Sequence, residues 1–227
     1  MDPLARVESI EGWLRAEDAQ KLYELARVTS GPILEIGTHY GKSAVLMALA
    51  LKDVQRRDVL VYTLDIDRRA IQAAVGEAQA RDVADMIVFS RGTLNAFARA
   101  YPHLRPALTF VDGDHSRTGV DRDLRVLESL VPAGGALLFH DFADPRNEDP
   151  DCTDTKVRPA VEASWVARQC DFEGIFGVCG LFTRRNVPPD SQPAVADLLP
   201  LESLKEQWRY RLRYPAARAI RGSRRRR

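Results

Sequence analysis

The stretch Ile33-Leu34-Glu35-Ile36-Gly37-Thr38-His39-Tyr40-Gly41-Lys42-Ser43 decides how the chain is read. Ile33 to Ile36 is short and largely apolar, as a buried strand is, and Gly31-Pro32 in front of it breaks whatever precedes. Gly37 and Gly41 allow the backbone to turn tightly and a ligand to approach closely. Lys42 to Leu51 is almost wholly apolar, as a helix packed on a sheet should be. Strand, glycine turn and helix make the opening half of a βαβ unit. The free N–H groups at the start of the helix favour a carboxylate or another anion.

Outward from that turn the same alternation continues. Strands are predicted at Val59–Leu64, Met86–Phe89, Leu108–Val111 and Ala136–Phe139. Helices are predicted over 17–29, 68–81, 93–100, 118–131 and 156–168, from apolar residues at helical spacing. Phe172–Phe176 and Val178–Thr183, separated only by Gly177, read as a final pair of strands or as one bent strand. The pattern predicts an α/β fold, with a mostly parallel seven-stranded sheet and helices on both faces. Ligands in such sheets bind beyond the carboxyl ends of the strands. The chemically suggestive residues fall there: Glu35 and Gly37, Asp65 and Asp67, Asp112, Asp114 and His115, then His140 and Asp141.

Three ligands compete for the first turn. A dinucleotide fold needs G-x-G-x-x-G, and His39 stands where its second glycine belongs. A phosphate loop needs four residues between its glycines before Lys-Ser, and only three separate Gly37 from Gly41. Glu35 would repel a pyrophosphate but suits an ammonium group. Asp65, after the second strand, is placed to accept hydrogen bonds from ribose hydroxyls. The pair favours S-adenosylmethionine, and Asp67 is the lesser candidate for the ribose.

Here the chain resembles a known family. Residues 33–43 look like motif I of the class I S-adenosylmethionine-dependent methyltransferases, whose fold is Rossmann-like. Val111-Asp112-Gly113-Asp114-His115-Ser116 and Ala133-Gly134-Gly135-Ala136-Leu137-Leu138-Phe139-His140-Asp141 resemble the small-molecule O-methyltransferase branch. That branch includes macrocin- and rhamnosyl-type sugar O-methyltransferases and cephalosporin-hydroxylase-like proteins. The resemblance covers roughly residues 25–185. It implies O-methylation of a small-molecule acceptor, a sugar of a glycosylated natural product among them. Cofactor contacts then fall to Glu35, Gly37, Thr38, Gly41, Ser43, Asp65, Gly92, Thr93 and Asp112. Catalysis falls to His115 as general base, with Asp112 and Asp141.

In metal-dependent relatives an acidic residue at position 112 and a pair at 140–141 hold Mg2+, which assigns the metal role to Asp112, His140 and Asp141. His140 departs from that pattern, because the first member of the pair is acidic in the clearest magnesium-binding relatives. Magnesium prefers oxygen donors. Three readings stay open: His140 contacts the substrate, the site takes a softer divalent ion, or no metal binds.

Composition sets the remaining bounds. The 227 residues suffice for one domain with additions. Three divisions are expected: an N-terminal helical segment (1–30), a methyltransferase domain (31–185) and a basic tail (186–227), partly helical or disordered. No apolar run is long enough to span a bilayer, and the N-terminus lacks the marks of a signal peptide. Cys152, Cys170 and Cys179 lack metal-type spacing and read as free thiols. These features predict a cytoplasmic protein, and they are compatible with a homo-oligomer. Residues 205–227 hold 10 basic side chains against the single acidic Glu206, so the rest of the chain is net acidic. The tail is suited to contact its own acidic body or an anionic partner. Two other functions stay in view: a non-catalytic S-adenosylmethionine-binding protein, and a methyltransferase acting on nucleic acid or protein through the tail.

Overall fold

The computed structural model describes residues 2–186. The tail beyond them, expected to be partly helical or disordered, lies outside the described residues. A single 3-10 turn at Leu4–Arg6 precedes α1 (Ala16–Val28). Then come β1 (Ile33–Ile36), α2 (Lys42–Asp53), β2 (Val61–Asp65), α3 (Arg68–Ala80), β3 (Ile87–Arg91) and α4 (Leu94–Ala100). The chain continues through β4 (Leu108–Val111), α5 (Arg117–Leu130), β5 (Ala136–Phe139), α6 (Val157–Glu162), α7 (Trp165–Gln169), β6 (Cys170–Phe176) and β7 (Cys179–Arg184).

The seven strands lie in the order β3-β2-β1-β4-β5-β7-β6. β1 pairs in parallel with both β2 and β4, and only β7 runs against its neighbours. This is the mostly parallel, helix-covered sheet that the alternation predicts, in the Rossmann-like order that the resemblance implies. The last two strands are a true antiparallel pair, turned at Gly177-Val178, with an irregularity between Phe172 and Gly174. The helix expected over 156–168 is two helices. Ser164 interrupts it, and its hydroxyl accepts from the Val166 N–H to start the second.

Alternate residues of each strand feed two apolar layers. Ile33, Val61, Phe110 and Leu138 pack with α1 and α2, whereas Leu34, Leu64, Val111, Leu137 and Phe139 pack with α4 to α7. α2 is apolar all round because the sheet covers one side and α1 the other; Ser43 to Leu51 are all buried. Val7, Ile10, Ala19, Leu22 and Ala26 of the N-terminal segment share that layer.

The order of strands reverses between β1 and β4, since the chain builds outward to β3 and then returns to the other side of β1. A crevice opens at that reversal, beyond the carboxyl ends of the strands.

Candidate active site

Two turns meet in the crevice. Gly37 follows β1 with φ +98°, and a Cβ there would collide with the carbonyl oxygen of Asp112 at the end of β4. The Asp112 N–H donates to the Ile36 carbonyl at 2.9 Å. Glycine is thus required at 37 by the neighbouring strand's backbone. Gly41 has a similar reason: at φ +89° it starts α2, and a Cβ would lie 2.8 Å from that of Ala74 in α3.

Glu35 lies deeper than a strand-end carboxylate. It is fully buried between Thr63 and Phe110 on the adjacent strands. The Thr63 hydroxyl donates to Glu35 Oε2, so the Thr38 hydroxyl donates to Thr63 in turn. Glu35 Oε1 has no hydrogen-bond partner among the described residues. Burial pushes its carboxyl up to about 8, against the opposing effect of the Ser43 and Thr63 hydroxyls.

Asp65 pins the turn. Its Oδ2 accepts from the His39 N–H at 2.9 Å and its Oδ1 from the Asp67 N–H at 2.8 Å. His39 holds a left-handed φ of +45°. Asp67 is the cap of α3, accepting from Arg69 N–H. Gly92 donates its N–H to the Asp65 carbonyl, and the Thr93 hydroxyl caps α4 through Ala96 N–H. Gly92 and Thr93 therefore border the same crevice as Asp65, with the Thr93 side chain already engaged.

The titratable cluster sits beside this turn. His115 stands between two carboxylates, with Nε2 3.1 Å from Asp112 Oδ1 and Nδ1 3.3 Å from Asp141 Oδ2. His140 Nδ1 lies 3.0 Å from the same Asp112 oxygen and 3.5 Å from Asp141 Oδ1. Burial alone would raise the Asp112 carboxyl, but the His140 and His115 imidazoles outweigh it and hold Asp112 well below the usual carboxylate range. Burial disfavours a charged His140, yet Asp112, Asp141 and Asp18 raise it to about 9. Asp141 is held at φ +57°, unusual for a non-glycine residue, directly after β5. Asp114 points away and accepts from the Ser116 N–H before α5.

Two neighbours are absent from the sequence reading. Asp18, fully buried in α1, accepts from the Val178 N–H at 2.8 Å and the Arg15 N–H at 3.0 Å, and lies 3.8 Å from His140 Nε2. The acidic position after Arg15 marks a helix start; nothing in the sequence ties it to His140. Arg146 donates to Asp141 Oδ2 at 3.0 Å and to both Asp144 oxygens. It is the cation of an otherwise acidic loop, which is the one signal it offers.

That loop, 142–155, is long enough for a substrate lid but is folded down. The buried Asn147 amide donates to the Asp141, Phe142 and Asp144 carbonyls, and Lys156 ties the loop through Asn147 and Asp149.

The magnesium set implied by resemblance comes together here: His140 Nδ1 lies 3.0 Å from Asp112 Oδ1 and 3.5 Å from Asp141 Oδ1, and its imidazole is the one donor of the three that Mg2+ does not favour. Among the described residues the donor atoms of Asp18, His140 and Cys179 lie within 4.8 Å of one another, as do those of Asp112, His115 and His140. Two of the latter three are imidazole nitrogens, which Mg2+ does not favour. Burial pushes the nearby Cys179 thiol far up from its ordinary range.

Comparison with known proteins bears on the family and the fold. Residues 34–142 match the family model described as a methyltransferase domain. Among solved structures the chain is similar to the O-methyltransferase TomG from Streptomyces achromogenes, involved in tomaymycin synthesis and solved with SAM. The TM-score is 0.60 at 18% identity, covering 82% of this chain and 87% of that one. The SAH-bound methyltransferase PaMTH1 from Podospora anserina gives a TM-score of 0.62 at 18% identity, covering 82% and 88%. An O-methyltransferase from Bacillus cereus, in complex with SAH, gives 0.60 at 16%, covering 81% and 87%. Residues 34–142 thus match a methyltransferase domain, and the sheet that holds them has the Rossmann-like fold of these structures. Among the described residues no helix is long and apolar enough to cross a membrane.

Proposed function

We propose that this enzyme transfers a methyl group from S-adenosylmethionine to a hydroxyl of a small molecule, with a sugar of a glycosylated natural product as the favoured acceptor. The observation that carries the reading is the abutment of Gly37 on Asp112. It puts the motif I turn and the His115 cluster on two walls of one crevice. The acceptor class rests on the resemblance of residues 111–116 and 133–141 to sugar O-methyltransferases.

When bound, the cofactor supplies an electrophilic sulfonium methyl and a neutral thioether leaving group. The chain supplies position and a proton acceptor. Glu35, beneath the turn with an unpartnered oxygen, balances the ammonium group as it ionises. Thr38 fixes the turn above it, and Gly41 and Ser43 open α2, whose free N–H groups face the carboxylate. Asp65 has lone pairs left for ribose hydroxyls, and Gly92 and Thr93 border the adenine. With the cofactor bound, His115 would take the proton of the acceptor hydroxyl that receives the methyl group. Asp112 and Asp141, on either side of the ring, stabilise the imidazolium. The folded loop beneath Asp141 is a wall of the acceptor site.

Two variants test the proposal against a non-catalytic cofactor-binding protein. Asp112→Asn and His115→Ala should lose turnover while still binding S-adenosylmethionine by calorimetry. General-base loss costs about 10²–10⁴ in rate. Full turnover by His115→Ala would remove it as the base. Cofactor binding by the unmodified protein, with no turnover on any sugar or phenolic acceptor, would favour the non-catalytic alternative.

A further inference from the structure

Trp13 is 71% exposed, more than any Phe, Tyr or other Trp among the described residues. An indole left in water contributes little to a core, and such side chains belong to binding surfaces. Its neighbours fix its place. The Lys42 ammonium, at the start of α2, donates to the Gly12 carbonyl at 3.1 Å. Gly12 has φ +151°, and a Cβ there would lie 3.6 Å from the Lys42 side chain and 3.8 Å from His39 Nδ1. The Trp13 ring is stacked with His39, their planes 24° apart and their centroids separated by 6.4 Å. His39 in turn rests on Tyr40 at 4.2 Å, and its N–H is held by Asp65.

The chain that follows runs to the reacting end of the crevice. Arg146 holds the Asp144 carboxyl below its ordinary range against desolvation, and Arg15 adds to that hold. Asp18 then stands 3.8 Å from His140 Nε2. At the other end, desolvation lowers the His39 imidazole, while Asp65, Asp112 and Asp67 pull it the opposite way. Residues 12–18 are therefore a strap from the motif I turn to the wall that carries His140 and Asp144. Leu14 of the strap is partly buried against the α1 and α2 layer. Trp13 is the large apolar side chain that the strap leaves in water, at the mouth of the crevice.

We propose that Trp13 is the acceptor platform of the enzyme, taking the flat apolar face of a ring of the acceptor against its indole. The inference rests on the methyl-transfer reading above and deepens it by naming how the acceptor is recognised. An indole offers area but no directional bond from its face, so it selects for ring shape and leaves the hydroxyl pattern to other groups. A pyranose presents such a face through its axial C–H groups, and an aromatic ring presents its π face. His39 and Tyr40 back the indole, and a Trp side chain has few torsions to freeze when the ring arrives.

The test uses the full chain saturated with S-adenosylhomocysteine and two probes, methyl α-rhamnoside for the pyranose face and catechol for the aromatic one. Saturation-transfer NMR reads probe contact, and calorimetry reads S-adenosylmethionine affinity. At least one probe should bind, and the one that does identifies the ring. Trp13→Ala should weaken it by about tenfold or more, and Trp13→Phe should restore most of the contact. S-adenosylmethionine affinity should stay within about twofold in both variants. Where the probe is methylated, Trp13→Ala should raise its KM and leave kcat nearly unchanged. Binding of neither probe, equal binding by folded Trp13→Ala, or a matching loss of S-adenosylmethionine affinity would overturn the platform. Turnover separates the two proposals. A probe held through Trp13 but never methylated sinks the reaction and leaves the platform; methylation with an unchanged acceptor KM in Trp13→Ala sinks the platform and leaves the reaction.

Discussion

Gly37 lies flat against the carbonyl of Asp112, so the turn that follows β1 and the acidic end of β4 are one structural unit. Any change in one backbone reaches the other. Gly37→Ala puts a methyl group into the Asp112 carbonyl at a φ of +98°, where an L residue is already strained. The expected loss is about 2 kcal/mol or more, with cofactor binding reduced in parallel. Gly76→Ala in α3 is the control, since a Cβ there meets nothing within 4 Å. It should stabilise by about 0.4–1 kcal/mol. Denaturant unfolding and calorimetry of both variants check the pair.

Glu35 makes stability depend on pH in a definite direction. Its folded pKa is raised from 4.5 to about 8. The unfolded chain therefore releases this proton earlier than the folded one. The contribution is complete below 4.5, declines as pH rises, and is gone above about 8. His140, raised from 6.5 to about 9, adds a decline in the same sense over a higher window. Thermal melts from pH 6 to 9.5 should fall. Glu35→Gln, which mimics the neutral acid, should flatten the part below 8 and leave the part set by His140. The same variant should bind S-adenosylmethionine about tenfold or more weakly, since it cannot balance the ammonium group. An unchanged pH profile would show that Glu35 ionises normally.

Strand ends and their acidic residues were legible because buried strands in a parallel sheet are short apolar runs bounded by turns. Ile33–Ile36, Leu108–Val111 and Ala136–Phe139 needed no adjustment. Glu35 was legible as a residue but not in depth: its place between Thr63 and Phe110 depends on two strand pairings absent from local pattern. Gly41 was read for ligand approach, whereas its tightest neighbour is Ala74 on another helix. Asp18 was out of reach, because its Val178 partner lies 160 positions away. Periodicity sees a helix face; it does not see which loop a helix residue will meet.

Asp18 closes the cluster from behind, and its removal should be costly. Asp18→Ala leaves the Arg15 and Val178 N–H groups unpaired and removes the carboxylate facing His140. Each buried group left unsatisfied costs about 1–3 kcal/mol. A loss of roughly 2–4 kcal/mol in urea unfolding is expected from these effects together. Asp18→Asn keeps one acceptor oxygen and should lose less than half as much. Equal losses in the two variants would show that Asp18 acts through charge alone.

Arg184 gives the last test, at the far end of β7 from the crevice. It is 1% exposed and, among the described residues, has no carboxylate as a hydrogen-bond partner. Its guanidinium donates instead to the Glu128 and Val131 carbonyls and to Gln169 Oε1, and lies 4.6 Å from the Trp165 ring centroid. These groups tie the end of α5 to α7 and β7, beneath the layer that carries β4 and β5. A planar fork makes all these contacts at once, and an ammonium does not. Arg184→Lys should therefore destabilise by about 2–3 kcal/mol, through unpaired carbonyls and lost stacking. Cofactor affinity, measured well below the melting temperature, should stay within about twofold, because additivity holds for distant sites. A large loss of affinity in folded Arg184→Lys would mean that β7 transmits strain to His140 through its pairing with β5.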